Sequence, residues 1–291
     1  MQASRWTFRP TSVRAIVDGV KLVVTSDLHV DPKGRLTTRA RIDALARAIA
    51  DESPSLVVLA GDLGHSLRGW ELCLDAFRAM PCPVAALAGN HDVWRDRAEN
   101  LGSDALFTTV LPERCARVGI RWLEGHTMRF GSVAVVGSMA WYDYSAVDPT
   151  VTVSAAQLEE LKRAFNNDAR CIDWPHRDTD VAQRLGDALV AQLEELERDD
   201  EIAQVAVVTH VPLVEEQMER RPHDPTWGLC NAYFGNLTLG HRVTAFGKVR
   251  AIVSGHTHAG RRANRGPIDI RVVGSDYGAP AYEVLDLREA R

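Results

Sequence analysis

The sequence predicts a layered α/β fold, and three observations carry that prediction. Short apolar runs recur along the 291-residue chain, they are rich in Val without alternating with polar residues, and amphipathic helical patterns separate them. Non-alternating runs of this length suit strands buried on both faces, and strands that alternate with helices build layered α/β domains.

The first run, KLVVTSD at 21–27, leads into a helical pattern over Thr37–Asp51 with Ile42, Leu45, Ala46 and Ile49 on one face. SLVVLAGD (55–62) follows, then a second helical pattern over Trp70–Met80 and a third run, PVAALAGN (83–90). In the middle, EGHTMRF (124–130) is followed by GSVAVVGSMAW, which reads as a hairpin turn into another apolar strand. From Trp141 to Arg177 the rhythm breaks, with only a short helix expected over Ser154–Phe165. A longer helix over Thr179–Arg198 then spaces Val181, Leu185, Leu189, Leu193 and Leu196 along one face. QVAVVTH (204–210), a second irregular stretch over 211–248 and RAIVSGH (250–256) complete the pattern. Long irregular stretches in compact domains are usually functional loops or disorder, and the Trp and Tyr content of these two favours order. The economical reading is one domain over 1–291 with irregular insertions at about 141–177 and 211–248.

With 45% hydrophobic and 25% charged residues the chain can bury a large core. Its net charge of −5 excludes a global basic field of the kind that drives nucleic-acid binding. The Arg-rich start, MQASRWTFRPTSVR, lacks the apolar segment of a secretory signal. No run approaches the ~18 apolar residues that cross a bilayer. A cytoplasmic protein with no membrane partner is expected. Cys73, Cys82, Cys115, Cys171 and Cys230 are scattered without a CxxC pair, so they read as reduced, packed thiols.

The chemistry sits at the ends of the runs: Asp27 and His29 in TSDLHVD, Asp62 in AGDLGH, Asn90, His91 and Asp92 in AGNHDVW, His210 in VTHVP, and His256 and His258 in SGHTHAG. In an extended segment residues i and i+2 point to one side, so Asp27 and His29 can converge on one ion. At a strand end, where the chain bends, His256 and His258 can diverge towards neighbouring ions. Carboxylate, amide and imidazole donors without thiolate suit Mn, Fe, Zn or Ni. Gly61, Gly89 and Gly255 precede these residues and permit sharp turns and close backbone approach.

In these motifs the chain resembles the calcineurin-like metallophosphoesterases, whose pattern D-x-H, GD, GNH[D/E], H and GHxH it matches in order across residues 27–258. The resemblance implies a four-layer αββα sandwich of two mixed sheets flanked by helices, with a dinuclear metal site at one edge. It implies that Asp27, His29 and His258 hold one metal, that Asn90, His210 and His256 hold the other, and that Asp62 bridges them. Two divalent cations are thus the expected cofactors, with Mn as the expected activating metal. His91 matches the family position thought to protonate or stabilise the leaving alkoxide, and Asp92 is placed to orient its ring. Two divalent ions against two carboxylates leave a charge of about +2 for hydroxide and a phosphoryl oxygen.

The expected activity is hydrolysis of a small phosphodiester or phosphomonoester by metal-activated hydroxide attack on phosphorus. The alternatives are a nuclease or nucleic-acid phosphatase using the same site and a noncatalytic scaffold. A scaffold would need neither the ligand set nor His91. Asn231, Tyr233 and His223, in the second irregular stretch, are the candidate substrate contacts. EGHTMRF has Met128 where SGHTHAG has its second imidazole, so His126 reads as a turn or surface residue.

Overall fold

The computed structural model describes residues 19–287, so the Arg-rich stretch at 1–14 lies outside the described residues. One sheet is built on β1 (Val20–Thr25), β2 (Leu56–Ala60), β3 (Val84–Leu87) and β4 (Arg121–Trp122), parallel and in that order. The other contains β5 (Met128–Phe130), β6 (Val133–Ser138), β7 (Gln204–Thr209), β8 (Val249–Ser254), β9 (Arg261–Arg265) and β10 (Ile268–Val272) in the order β5-β6-β7-β8-β10-β9. Its four inner strands are parallel, and β5 and β9 close its edges antiparallel. A last strand, β11 (Tyr282–Leu287), returns to the first sheet and pairs antiparallel with β1, Val23 opposite Val284. Both sheets are therefore mixed.

Helix α1 (Arg39–Asp51) connects β1 to β2, as parallel neighbours require. The Thr38 side chain caps it by accepting from the Arg41 amide, and its buried residues are the expected Ile42, Leu45, Ala46 and Ile49. Helix α2 (Leu67–Phe77) connects β2 to β3 and sits three residues earlier than its apolar spacing indicates. Ser66 caps it by accepting from the Gly69 amide at 3.2 Å. Pro81 disfavours helical geometry at Met80, which accounts for the early end.

Three apolar layers separate four structural ones. Leu22, Val24, Val58 and Leu87 meet Val135, Val208 and Val253 between the sheets. Val23, Val57 and Leu59 face outward onto Ile42, Ile49, Trp70 and Phe77 of the first helical layer. Val136, Val207 and Ile252 face the opposite way onto Leu189, Leu193 and Leu196 of the Asp178–Arg198 helix. Each of these central strands is thus buried on both faces, the physical reason its sequence does not alternate, and the result is the helix–sheet–sheet–helix sandwich. Among the described residues no helix is long and apolar enough to cross a membrane.

The 141–177 stretch is anchored by polar bonds as well as rings. Asp178 accepts from Lys162 Nζ at 2.7 and 2.8 Å, from Trp141 Nε1 at 2.7 Å and from the Tyr144 hydroxyl at 2.5 Å. Both ions are buried, so these bonds offset a desolvation cost that one missing partner would leave exposed. The expected short helix runs Ala155–Phe165, started by Ser154 in a capping box with Gln157.

The EGHTMRF hairpin forms as β5–β6, with His126 exposed. Its neighbour Glu124 accepts from Ser138 Oγ and the Met139 amide, each at 2.7 Å. Burial pushes this carboxyl up to about 7, against the pull of the two hydrogen bonds. A folded pKa above the unfolded 4.5 means that this group's contribution is complete below pH 4.5 and is lost as pH rises through about 7. The urea midpoint of E124Q is therefore expected to gain on that of the wild type across this window. Parallel pH profiles for the two proteins would refute the assignment.

Candidate metal centre

The site forms where the carboxyl ends of parallel strands from both sheets meet. Asp27 lies just beyond β1, Asp62 beyond β2, Asn90 beyond β3, His210 directly after β7, and His256 and His258 beyond β8. The pairing of Asp27 with His29 is not the pleat of an extended strand, however. Asp27, His29, Asp62, His256 and His258 all have positive φ, between 43° and 70°. Non-glycine residues adopt this left-handed backbone only where the surroundings enforce it, and such strain concentrates at functional sites. The strands stop short because the chain must curl to turn these side chains inward.

Glycine makes the close approach possible. A Cβ on Gly61, itself at φ 88°, would lie 2.7 Å from His210 Nδ1. One on Gly89 would collide with Asp62 Oδ1.

The seven side chains fall into two groups joined by Asp62. In one, His29 Nε2 lies 3.4 Å from His258 Nε2, which is 3.6 Å from Asp27 Oδ1. In the other, His210 Nε2, His256 Nδ1 and Asn90 Oδ1 lie 3.1 to 3.3 Å from one another. Asp62 turns Oδ2 to His29 Nε2 at 3.7 Å and Oδ1 to His210 Nε2 at 3.5 Å. His256 and His258, two residues apart, thus belong to different groups. The amide of His256 donates to both oxygens of Asp27, at 2.9 and 3.1 Å, tying the groups together.

Neighbouring groups fix which atoms face inward. His210 Nδ1 lies 3.0 Å from the Ala60 carbonyl, and His256 Nε2 lies 3.1 Å from the Tyr233 carbonyl. A carbonyl only accepts, so these ring nitrogens carry the protons and the inward ones are bare lone pairs. Asn90 Nδ2 donates to Asp168 Oδ1 at 2.9 Å, which leaves Asn90 Oδ1 facing the two rings. Three acceptors therefore point at one another within hydrogen-bond distance and with no proton to share. That arrangement is repulsive alone and is the arrangement of ligands around a cation.

The electrostatics agree. Burial pushes the carboxyls of Asp27 and Asp62 upward, Asp62 well above its ordinary range because the charges of Asp92 and Asp27 add to the effect. Burial also holds His29 down at about 2 and His210 well below its usual value. Among the described residues no Lys or Arg pairs with either carboxylate. The donor set fits divalent cations, which would supply the missing positive charge.

His91 borders the cluster, its Nε2 3.9 Å from Asp62 Oδ2 and its amide donating to Asp62 Oδ1 at 2.9 Å. Its ring stacks on Trp94 at 3.8 Å, and burial holds its pKa down at about 3. Asp92 does not orient that ring as expected. Its oxygens accept from the amides of Gly89 at 2.8 Å, Gly64 at 3.1 Å and Leu63 at 3.3 Å, so it binds the β2 and β3 turns together. His91 Nδ1 is buried without a partner.

The three candidate substrate contacts divide differently. Tyr233 is buried with its hydroxyl donating to the Leu158 carbonyl at 2.8 Å, so its part in the centre is its backbone carbonyl on His256. Asn231 is also buried, and its Nδ2 donates to the Trp227 carbonyl at 3.1 Å. His223 is exposed in a left-handed turn. Sequence reasoning missed Asp168, which also accepts from Trp94 Nε1 at 2.6 Å and the Tyr142 hydroxyl at 3.0 Å. It also missed Tyr277, 49% exposed, whose ring lies 4.6 Å from that of His29 and 5.2 Å from that of His258. Asp168 lies in DARC and Tyr277 in SDYGAP, neither of which matches a motif.

Comparison with known proteins places this geometry among relatives. The family model for calcineurin-like phosphoesterases matches residues 20–260. A probable cyclic nucleotide phosphodiesterase of Synechococcus sp. is 38% identical over 74 residues, which are 23% of this chain and 29% of that protein's length. The structure of a phosphopantetheinyl hydrolase from Mycobacterium tuberculosis superposes with a TM-score of 0.71 at 22% identity, covering 90% of this chain and 92% of that one. A dimetal phosphatase from Danio rerio superposes with a TM-score of 0.57 at 13% identity, covering 94% of each chain.

Proposed function

We propose that this chain, which belongs to the calcineurin-like phosphoesterases, hydrolyses phosphate esters and acts through a dinuclear centre on a small phosphodiester or phosphomonoester. The observation that carries the dinuclear reading is the pair of donor groups facing the two oxygens of Asp62. Asp27, His29 and His258 would hold one cation, Asn90, His210 and His256 would hold the other, and Asp62 would serve both. Divalent ions there supply Lewis acidity to a phosphoryl oxygen and acidify bound water, with manganese as the activating ion.

The protein's own residues do the rest. Two cations against the charges of Asp27 and Asp62 would leave about +2, which would favour an anionic phosphoryl group in a protein that is acidic overall. His91, kept neutral by burial and held flat on Trp94, presents a ring N–H to the leaving oxygen and stabilises its developing charge. Asp92 keeps the β2 and β3 turns at fixed separation, so that Asp62 and Asn90 stay in register. A single domain carrying both irregular stretches belongs to the same reading, as does a cytoplasmic location, with which five free cysteines agree.

The test is a panel of aryl phosphate mono- and diesters offered to protein reconstituted with Mn²⁺. Chelator-sensitive turnover of at least one class is expected. Absence of turnover across the panel by folded, metal-loaded protein would sink the reading.

A further inference from the structure

Beside His91 the surface opens into a cavity of about 300 Å³, lined by His65, His91, Trp94, Arg95, Arg97 and Arg170 among others. Three arginines from two segments that are far apart in sequence line it together with Cys171. The Arg95 amide donates to the Cys171 carbonyl at 2.9 Å, and Arg95 Nη2 donates to the Arg170 carbonyl at 3.2 Å, which clamps the segments together.

The three guanidinium groups at this cavity outnumber the two carboxylates in its lining, Asp92 and Asp96. Rather than the guanidinium groups, both carboxylates bind backbone amides. Asp92 binds those of Gly89, Gly64 and Leu63, and Asp96 those of Leu67, Ala98 and Glu99. Among the described residues no carboxylate lies within ion-pair distance of Arg95, Arg97 or Arg170, whereas Arg220, Arg265 and Arg271 are each paired. In a chain of net charge −5 this is a local cationic pocket contiguous with the reacting centre.

Position determines what it holds. His91 stands between Asp62 and the cavity, with Trp94 stacked on it and His65 at 5.9 Å from its ring. An ester whose phosphoryl group sits over Asp62 and whose leaving oxygen faces His91 must extend its alcohol portion into this cavity. Resting on the phosphoesterase reading above, we propose that the substrate is a phosphate ester whose leaving alcohol carries a second anionic group, carboxylate or phosphate, bound by Arg95, Arg97 and Arg170. Planar guanidinium forks suit both anions.

The metal-loaded enzyme is assayed with phenyl phosphate and with its para-carboxymethyl and para-phosphonomethyl derivatives, which differ in the remote anion and little at the ester. A preference in kcat/KM of about tenfold or more for one or both derivatives is expected, arising mainly in KM, since tenfold corresponds to about 1.4 kcal/mol. Which derivative gains separates carboxylate from phosphate. Charge reversal at the exposed positions, R97E with R170E, is expected to abolish the preference, and R97A alone to reduce it about threefold. Equal kcat/KM for all three esters, or a preference that survives the charge reversal, overturns this assignment and leaves the phosphoesterase reading standing. Failure to hydrolyse any of the three overturns this assignment, and removes the phosphoesterase reading as well only if the aryl diesters also fail.

Discussion

Asp62→Ala is expected to lower phosphate-ester hydrolysis on the order of 10³-fold, the upper end of what losing one transition-state-stabilising group costs. Asp62 faces both donor groups, Oδ2 towards His29 and Oδ1 towards His210. Its removal weakens two cation sites at once and frees the His91 amide. The fold is not expected to suffer in proportion. The buried carboxylates of Asp62, Asp27 and Asp92 repel one another without cations, so deleting one relieves that repulsion. Steady-state rates and metal content of D62A, measured beside its thermal midpoint, separate the two effects. Retention of more than a tenth of wild-type turnover would exclude a central role for this residue.

Asp168→Ala is expected to act through Asn90. The Asp168 carboxylate holds Asn90 Nδ2 outward, and the Trp94 indole that stacks on His91 donates to the same oxygen. Without it the Asn90 amide is free to rotate and Trp94 loses its anchor. Loss of a partner that orients a ligand typically costs 10–100-fold in metal affinity or activity, and about that loss is expected here. Two buried donors, on Asn90 and Tyr142, also lose their acceptor, each worth about 1–3 kcal/mol of stability, and so does the half-buried Trp94 indole. A purely structural role would lower stability while leaving the metal affinity of the folded fraction unchanged. A metal titration under conditions where D168A is fully folded decides between the two.

Much of the site is legible in the sequence because its ligands follow strands. Each Val-rich run announces a buried parallel strand, and active residues of such sheets lie at strand ends, so Asp27, Asp62, Asn90, His210 and His256 mark themselves by position. Local geometry is less legible. Alternation suggests that Asp27 and His29 converge from an extended strand, but convergence comes from left-handed backbone, which no residue-type preference announces at Asp and His so strongly as at Gly. Asp92 looks like the natural partner of an adjacent histidine, yet its carboxylate turns to three backbone amides that only the folded chain brings near.

Asp168 and the Arg95, Arg97 and Arg170 trio stay hidden for a related reason. Their roles depend on the 141–177 stretch folding back on the segment after β3, an approach across about 75 residues that carries no periodic signal. Tyr233 shows the reverse. The sequence marks it as a substrate contact, whereas it meets the centre through its carbonyl, because its ring is buried among Tyr142 and Tyr144. The strands β9 and β10 were equally silent. RRANR has one apolar residue and forms the edge strand, and IDIRV, although it alternates apolar and charged residues, is only five residues long.

The most direct test of the central claim is anomalous diffraction from crystals grown with Mn²⁺. Two peaks per chain are expected, one bounded by Asp27, His29 and His258, the other by Asn90, His210 and His256, with the Asp62 carboxylate between them. A single peak, or His256 and His258 on the same ion, would contradict the account.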